Sequence, residues 1–344
     1  MAKISVIIPA YNASATILET IDSVQNQTFA DFEIIVVDDG STDNTLAMLE
    51  SINDERLKII SSPNGGVAAA RNLGISQASG EFITFLDADD LWTADKLQLQ
   101  LEALLGNPEA SVAYSFTRSI DEYGNPLWKG PRIPIKGNVY GDLLVSNFLH
   151  SGSNPLIRKT AVDAIGGFDR AYAPCEDWDF YLRLSAKYSF AVVSKYQILY
   201  RQLSNSMSAK VDVMRDGGLY TIDTSFQAAP SEYQHLKGKS LAIFYKYCAR
   251  LYLRNTADIA GLNSAGVSAF QVLNLYPWIL VDLDSTRLLL LIVLKILLPN
   301  DWANYLIQQY RKSPFAAKKA LRRKQEKELS QLSQLPENTK KALA

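Results

Sequence analysis

Residues 82–92 of the chain read FITFLDADDLW and combine a strand suited to burial with a cluster of negative charge. The apolar run is typical of a strand that is covered on both faces. Three aspartates follow it directly: Asp87, Asp89 and Asp90. Carboxylates this close repel one another, and a divalent cation would relieve that repulsion. Aspartate at a strand end can also simply cap the next helix, so the rest of the sequence has to show whether such an ion belongs there.

Strand-like and helix-like segments alternate around this stretch. Apolar runs at residues 3–9, 32–37 and 57–61 each end in proline or polar residues, and a helix-like segment follows each of them. This alternation predicts the α/β class, with a mostly parallel sheet flanked by helices. In such folds, ligands bind beyond the carboxyl ends of the strands. We therefore expect the polar groups at these strand ends to surround one crevice.

The composition limits the class of protein. Of the 344 residues, 47% are hydrophobic and 21% are charged, which is enough for a substantial packed core. The formal net charge of -1 argues against a general nucleic-acid binder. Two cysteines, Cys175 and Cys248, lie far apart and predict neither a disulfide framework nor a zinc site. Residues 1–12 lack the pattern of a secretion signal, so we expect a cytoplasmic protein.

Six short motifs occur in a characteristic order along residues 3–210. They are SVIIPAYN (5–12), VVDDGSTDNT (36–45), GGVAAARNLGI (65–75), FLDADD (85–90), GGFD (166–169) and CEDWDFYLRL (175–184). Together they resemble the family 2 glycosyltransferases, whose catalytic domain has the GT-A fold. The resemblance implies transfer of a sugar from a nucleotide-sugar donor to an acceptor hydroxyl, normally with Mn²⁺ or Mg²⁺.

The resemblance assigns a nucleoside pocket to the first two strand ends. Asp39 matches the position that accepts a hydrogen bond from the base, commonly uracil, and a carboxylate is suited to that task. Pro9, Ala10 and Tyr11 would line the pocket, with Tyr11 as an aromatic wall. Asp38 is either a further contact of the nucleotide or a partner for backbone amides in the turn.

The D-x-D motif would serve the diphosphate. We expect Asp89 to be the direct metal ligand, and Asp87 to hold the ribose or a metal-bound water, with Ala88 between them in the nucleotide-sugar site. Asp90 would start the next turn. Arg71 would face the nucleotide, although a surface arginine paired with a carboxylate is the alternative.

The Glu176-Asp177 pair carries the expected catalytic base. The helical spacing places Asp177 near an otherwise apolar stripe, which should raise the pKa of its carboxyl group and suit it to general-base work. The family places its base at this aspartate, while Glu176 stays an alternative. Trp178 would form a shelf for a sugar ring or belong to the core.

These residues predict an inverting, metal-dependent and non-processive glycosyltransferase. Processive members carry a Q-x-x-R-W motif and several spanning helices, and neither is found in this sequence. A nucleotidyltransferase would need a basic loop near the N-terminus, but residues 9–16 contain no lysine or arginine. A scaffold that has lost catalysis is disfavoured by the intact aspartates.

The strand signal fades beyond residue 214. We therefore expect a GT-A catalytic domain over residues 1–214 and a helical extension over residues 215–344. Residues 286–299 are strongly apolar but too short to cross a bilayer alone. They would either lie at the inner face of a membrane or pack on protein, including a second subunit. The membrane alternative would use a basic group nearby: Lys318, Lys319, Arg322, Arg323 and Lys324.

Overall fold

The computed structural model describes residues 2–203, 210–255, 259–278 and 282–298. The strands are β1 (Ile4–Ala10), β2 (Phe32–Asp38), β3 (Leu57–Ser61), β4 (Phe82–Phe85), β5 (Leu91–Trp92), β6 (Ala110–Ile120), β7 (Pro126–Lys129), β8 (Leu156–Arg158) and β9 (Ser189–Arg201). The helices are α1 (Ile17–Gln25), α2 (Thr45–Glu50), α3 (Val67–Gln77), α4 (Lys96–Leu105), α5 (Tyr140–Val145), α6 (Lys159–Ile165), α7 (Glu176–Ser185), α8 (Val211–Ala228), α9 (Lys237–Asn255), α10 (Ile259–Leu275) and α11 (Leu283–Leu297).

The strands form one sheet in the order β3-β2-β1-β4-β8-β6-β9-β5, and β7 pairs with the outer part of β6. The strands β3, β2, β1 and β4 are mutually parallel. Strand β8 is antiparallel to both of its neighbours, so β6 runs in the same direction as β4, and β9 is parallel to β6. The predicted mostly parallel α/β sheet is confirmed, and the carboxyl ends of β1, β2, β4, β6 and β9 lie at one edge.

Alternation along the buried strands builds a core on each face of the sheet. In β1, Ile7 belongs to one apolar cluster, whereas Ile8 belongs to the other. Strand β2 repeats this arrangement with Ile35 and Val36. Side chains that alternate in this way let a fully apolar strand face helices on both sides. The sheet edge therefore rests on a rigid, two-sided core.

The helices after β9 share part of this core. Phe226 of α8 and Phe244 of α9 are buried in the same cluster as Trp178. The expected domain boundary between residues 214 and 215 lies inside α8. The sheet-bearing part and the first two C-terminal helices are thus packed as one body.

The apolar segment near the end of the described chain is α11, which contacts α10. Ile292 is buried, whereas Leu290 and Val293 are exposed. None of the helices in the described ranges is long and apolar enough to cross a membrane. The basic residues expected to meet anionic lipid, residues 318–324, lie outside the described residues.

Candidate functional site

Two of the strand ends meet at the predicted edge, where the sequence predicts the nucleoside pocket. The backbone N–H of Asp39 donates to the carbonyl of Ala10 at 2.8 Å, which fixes the end of β2 beside the end of β1. Pro9 and Ala10 are buried, and the Tyr11 side chain next to them is 52% exposed. Tyr11 is therefore placed where an aromatic wall of an open pocket could be.

The Asp39 carboxylate organises the start of α3. It accepts hydrogen bonds from the backbone N–H groups of Gly65 and Gly66, both at 2.8 Å. Gly66 has a φ of 84°, a backbone conformation that side-chain-bearing residues rarely adopt. Each carboxylate oxygen has a second lone pair, so Asp39 can still accept from a bound base. Asp38 accepts from the N–H of Ser41 at 3.3 Å, in keeping with the backbone-amide alternative.

The D-x-D motif occupies a tight turn between β4 and β5. The N–H of Asp90 donates to the carbonyl of Asp87 at 3.0 Å. The carbonyl of Ala88 accepts from the hydroxyl groups of Thr16 and Thr20 on α1 at 2.8 and 3.0 Å. These bonds hold the backbone of the turn.

A second set of contacts clamps the same turn from the opposite half of the sheet. The buried Asp90 carboxyl group accepts from the hydroxyl of Ser153 at 2.6 Å and from the N–H of Arg201 at 2.9 Å. Ser153 in turn accepts from the N–H of Asp87 at 3.0 Å. Asp90 does lie in the turn that the sequence predicts, and it also ties that turn to β9 and to the loop before β8.

The pKa of the Asp89 carboxyl group is raised to about 6. Burial is the main cause and the Asp87 carboxylate adds to it, whereas the positive charge of Arg201 opposes the shift. The Nε of Arg201 also donates to the carbonyl of Asp89 at 2.8 Å. Asp87 and Asp89 thus repel one another in a half-buried position, as the sequence predicts.

The donor set of this turn fits Mg²⁺ or Mn²⁺. Both ions prefer hard oxygen ligands and commonly take one or two carboxylates together with phosphate oxygens. Within the described ranges, no three His, Cys, Asp or Glu side chains gather as a closed metal site. Asp89, with Asp87 beside it, can therefore hold such an ion when phosphate oxygens complete its coordination.

Arg71 links the D-x-D turn to the Glu176-Asp177 pair. Its guanidinium group is buried and donates to Asp87 at 2.6 Å and to Glu176 at 2.8 Å. It also lies over the ring of Phe168, 5.0 Å from the centroid. Burial lowers the pKa of Arg71, but the two carboxylates outweigh that effect and the net shift is upward. Arg71 is paired with carboxylates, as the alternative held, although it is not a surface residue.

Asp177 lies in the first turn of α7 with the properties expected of a base. Its carboxylate accepts from the side-chain amide of Asn147 at 3.3 Å and from the N–H of Trp178 at 2.7 Å. Burial and the Glu176 charge raise the pKa of Asp177 to about 7, against the opposing effect of Arg71. A carboxyl group with this pKa exchanges a proton near neutral pH.

The structure corrects the prediction that Trp178 forms a sugar shelf. The side chain is only 5% exposed, and its indole N–H donates to the carbonyl of Leu143 at 2.8 Å. Its ring packs against Phe244 of α9 with a centroid distance of 6.0 Å. Trp178 is thus a core residue, because an N-terminal position on α7 can point into the protein as well as into the crevice.

Sequence reasoning missed three residues that hold the site together: Ser153, Arg201 and Asn147. Ser153 and Asn147 belong to the loop SNFLHSGSNP (146–155), in which closely spaced polar residues are the available signal. Arg201 ends an apolar strand and is fully buried, and its guanidinium group also pairs with Glu19 at 2.6 Å. A charged residue at the end of such a strand is a signal that could have marked it.

Comparison with known proteins identifies the family. The model of the glycosyltransferase-like family 2 matches residues 5–252, which include every residue of this candidate site. The chain belongs to this family.

Two curated relatives match parts of this family 2 glycosyltransferase. The chain is 30% identical over 227 residues to the chondroitin synthase of Escherichia coli, covering 64% of this chain and 32% of that protein. It is 45% identical over 105 residues to the UDP-Glc:alpha-D-GlcNAc-diphosphoundecaprenol beta-1,3-glucosyltransferase WfgD of Escherichia coli, covering 30% of this chain and 42% of that protein. The chain thus spans less than half the length of both relatives.

Solved structures confirm the GT-A fold. TarS of S. aureus matches with a TM-score of 0.54 and 23% identity, covering 80% of this chain and 49% of TarS. The mannosyltransferase PcManGT of Pyrobaculum calidifontis, in complex with GDP-Man and Mn²⁺, matches with a TM-score of 0.52 and 18% identity, covering 86% of each chain. At these identities the likeness concerns the fold alone.

Proposed function

We propose that this family 2 glycosyltransferase transfers a sugar from a nucleotide-sugar donor to an acceptor hydroxyl with inversion of configuration and with a divalent metal ion. One observation carries the proposal. A carboxyl group suited to proton transfer, Asp177, and the D-x-D pair are joined through Arg71 and Glu176 at the same sheet edge. A donor diphosphate and an acceptor hydroxyl can therefore be handled side by side.

Asp177 supplies the proton acceptor for the reaction. It removes the hydroxyl proton as the acceptor oxygen attacks the anomeric carbon from the face opposite the diphosphate. A new C–O bond forms while the bond to the diphosphate oxygen breaks, and that oxygen keeps the electron pair. Attack from the opposite face inverts the anomeric configuration. Glu176 is less suited to this role, because one of its oxygens is committed to Arg71.

The protein residues prepare the leaving-group side. Asp89 and Asp87 would hold Mn²⁺ or Mg²⁺, and the bound ion would neutralise the charge of the departing nucleoside diphosphate. Arg71 keeps Asp87 oriented through a buried ion pair. The turn is also fixed by Asp90 and Ser153, so its carboxylates need little rearrangement when the donor binds.

We infer that the donor is a UDP-sugar. Asp39 would accept from a ring N–H of the nucleobase, and Tyr11, which is exposed, would form the wall of the same pocket. Pro9, Ala10 and Asp38 would line its floor. One TarS structure contains UDP, which supports this choice, whereas the mannosyltransferase binds GDP-Man and marks the alternative. The base contact at Asp39 is the feature that would decide between them.

The acceptor is proposed to be a hydroxyl of a glycan or of a lipid-linked saccharide. The name of the WfgD relative describes a diphosphoundecaprenol-linked acceptor, which supports the lipid-linked form. We propose that the chain adds one sugar per encounter, because the sequence lacks the processive motif. Release of long polymer from a single donor would contradict this part of the proposal.

The test uses purified protein and a panel of nucleotide sugars with Mn²⁺, scored first by thermal shift and then by donor hydrolysis. Asp177→Asn should keep the thermal shift and lower turnover by about 10²- to 10⁴-fold, the range for a lost general base. The matched control is Asp163→Asn, which neutralises an exposed aspartate of α6 and should leave turnover unchanged. Equal turnover of Asp177→Asn and the parent protein would move the base to another group.

We further propose a cytoplasmic protein that contacts the inner face of a membrane through its C-terminal part. The exposed apolar side chains of α11 and the basic residues 318–324 support this location. The competing arrangement is a homo-oligomer in which the same helix packs on a second copy.

A further inference from the structure

Three cationic side chains gather around the ring of Tyr196, at the outer half of the sheet. The guanidinium group of Arg118 lies 6.0 Å from the ring centroid, that of Arg132 lies 5.4 Å away, and the ammonium group of Lys129 lies 5.2 Å away. We call these four residues the Tyr196 cluster. One aromatic ring offers a cation only a modest attraction, so it does not offset the mutual repulsion of the two guanidinium groups.

The strand register places two of these charges in direct opposition. Arg118 of β6 and Lys129 of β7 are cross-strand partners, and like charges directly opposite one another destabilise a sheet. Arg118 also has a buried Nε without a hydrogen-bond partner in the described chain. None of the ion pairs between described residues involves Arg118 or Arg132. A bound oxyanion would satisfy that donor and offset the positive charge of the two guanidinium groups.

The cluster adjoins the loop that contacts the proposed base. The hydroxyl of Tyr196 donates to the carbonyl of Gly130 at 2.9 Å. A methyl group added at Gly130 would lie 3.7 Å from the ring of His150, so the two residues are neighbours. Three residues before His150, the side chain of Asn147 donates to Asp177. The cluster and the proposed base are therefore linked through residues 147–150.

We propose that the Tyr196 cluster binds a phosphate or diphosphate group carried by the acceptor. The inference rests on the proposed function, because the acceptor role follows from the link to Asp177 through residues 147–150. Two guanidinium groups and one ammonium group provide more positive charge than a single carboxylate needs, and guanidinium groups match phosphate oxygens bidentately. Binding there would hold the acceptor by its anionic group while a hydroxyl reaches the base.

The experiment is a calorimetric titration of inorganic pyrophosphate into the full chain in EDTA, which removes metal-dependent binding at the donor side. The double variant Arg118→Gln/Arg132→Gln should weaken pyrophosphate binding by about 10- to 100-fold, the loss expected for two charge-assisted contacts. The control is Lys58→Gln/Lys187→Gln, which removes two exposed charges elsewhere and should change the affinity less than about twofold.

Two results would overturn the inference. One is pyrophosphate affinity that is the same in the Arg118→Gln/Arg132→Gln variant and in the parent protein. The other is equal affinity of the parent for tricarballylate, a tricarboxylate, which would mean that the cluster attracts anions without preferring phosphate. The Arg118→Gln/Arg132→Gln variant loses one of two opposed charges, so its melting temperature should not fall. A melting temperature that does not fall verifies that the variant is folded.

The outcome is separable from that of the proposed function. Donor hydrolysis with Mn²⁺ is measured on the same variants and should be unchanged, because neither arginine lies in the donor site. Intact donor hydrolysis with unchanged pyrophosphate binding removes the Tyr196 cluster from the acceptor site and leaves the glycosyltransferase proposal standing. If the Arg118→Gln/Arg132→Gln variant loses pyrophosphate binding and the parent protein hydrolyses no nucleotide sugar, the anion site is retained and the proposed function is overturned.

Discussion

The pKa of the Asp177 carboxyl group depends on the charges of two neighbours, Glu176 and Arg71. Burial and the Glu176 carboxylate raise the pKa of Asp177 to about 7, whereas Arg71 opposes them. A base must be ionised to act, so turnover should rise with pH through about 7 and be lost below it. Glu176→Gln removes a negative charge and should move this limb to lower pH. Turnover measured from pH 5 to 9 checks the shift, and a limb that stays in place would contradict it.

Asp89 is the residue on which metal-dependent donor binding should depend. Its backbone carbonyl, and not its carboxylate, is held by Arg201, so Asp89→Ala should remain folded. We expect the variant to lose the Mn²⁺-dependent thermal shift with a UDP-sugar. Asp163→Ala, an exposed aspartate outside the site, serves as the control. UDP-sugar binding as tight as that of the parent would remove Asp89 from the metal site.

At the scale of elements, the turn between β4 and β5 depends on Asp90. Asp90→Ala leaves the hydroxyl of Ser153 and the N–H of Arg201 without their acceptor, and each such buried group costs about 1–3 kcal/mol. We therefore expect the free energy of unfolding to fall by about 2–5 kcal/mol. Burial and the neighbouring carboxylates raise the pKa of Asp90, so an uncharged amide resembles its carboxyl group.

Asp90→Asn should for that reason be milder than Asp90→Ala in both stability and donor binding. Urea unfolding and UDP titration of the two variants provide the comparison. Equal losses in both variants would show that the shape of the turn does not depend on this hydrogen-bonded group.

The sequence predicts elements better than the contacts between them. The buried runs of β1, β2 and β4 and their polar ends could be read directly, because apolar strands in an α/β sheet leave a local pattern. The bridge from Arg71 to Glu176 joins positions 105 residues apart, and no local pattern reports it. The sequence left Trp178 open between a sugar shelf and a core residue for a related reason, since the direction in which a helical side chain points depends on what packs there.

At the scale of the whole molecule, the exposed apolar face of α11 should decide where the protein resides. Full-length protein should float with vesicles that contain anionic lipid, and salt should weaken the binding. Each basic residue near such a surface contributes about 1 kcal/mol, so residues 318–324 would add substantially to the apolar contact. Leu290→Gln/Val293→Gln should reduce flotation, whereas Val213→Gln, which alters an exposed valine of α8, should not.

Protein that stays in the soluble fraction at low salt would favour packing of α11 on a second copy. Sedimentation at several concentrations would then detect the oligomer, and Leu290→Gln/Val293→Gln should dissociate it.

The antiparallel strand β8 lies between β4 and β6 and divides the sheet into two halves. The strands β1 to β4 form one half, and the strands β5, β6 and β9, which follow them in the chain, form the other. The residues proposed to bind the donor come from the first 90 codons, whereas Asn147, Asp177 and the Tyr196 cluster, proposed to serve the acceptor, come from later ones. Recombination just beyond codon 90 could exchange the half that carries the proposed acceptor residues as one unit. The incoming half would have to supply Glu176 for Arg71, and Ser153 and Arg201 for the D-x-D turn. A new acceptor preference can then be inherited in one genetic event, with the nucleotide-handling half left intact.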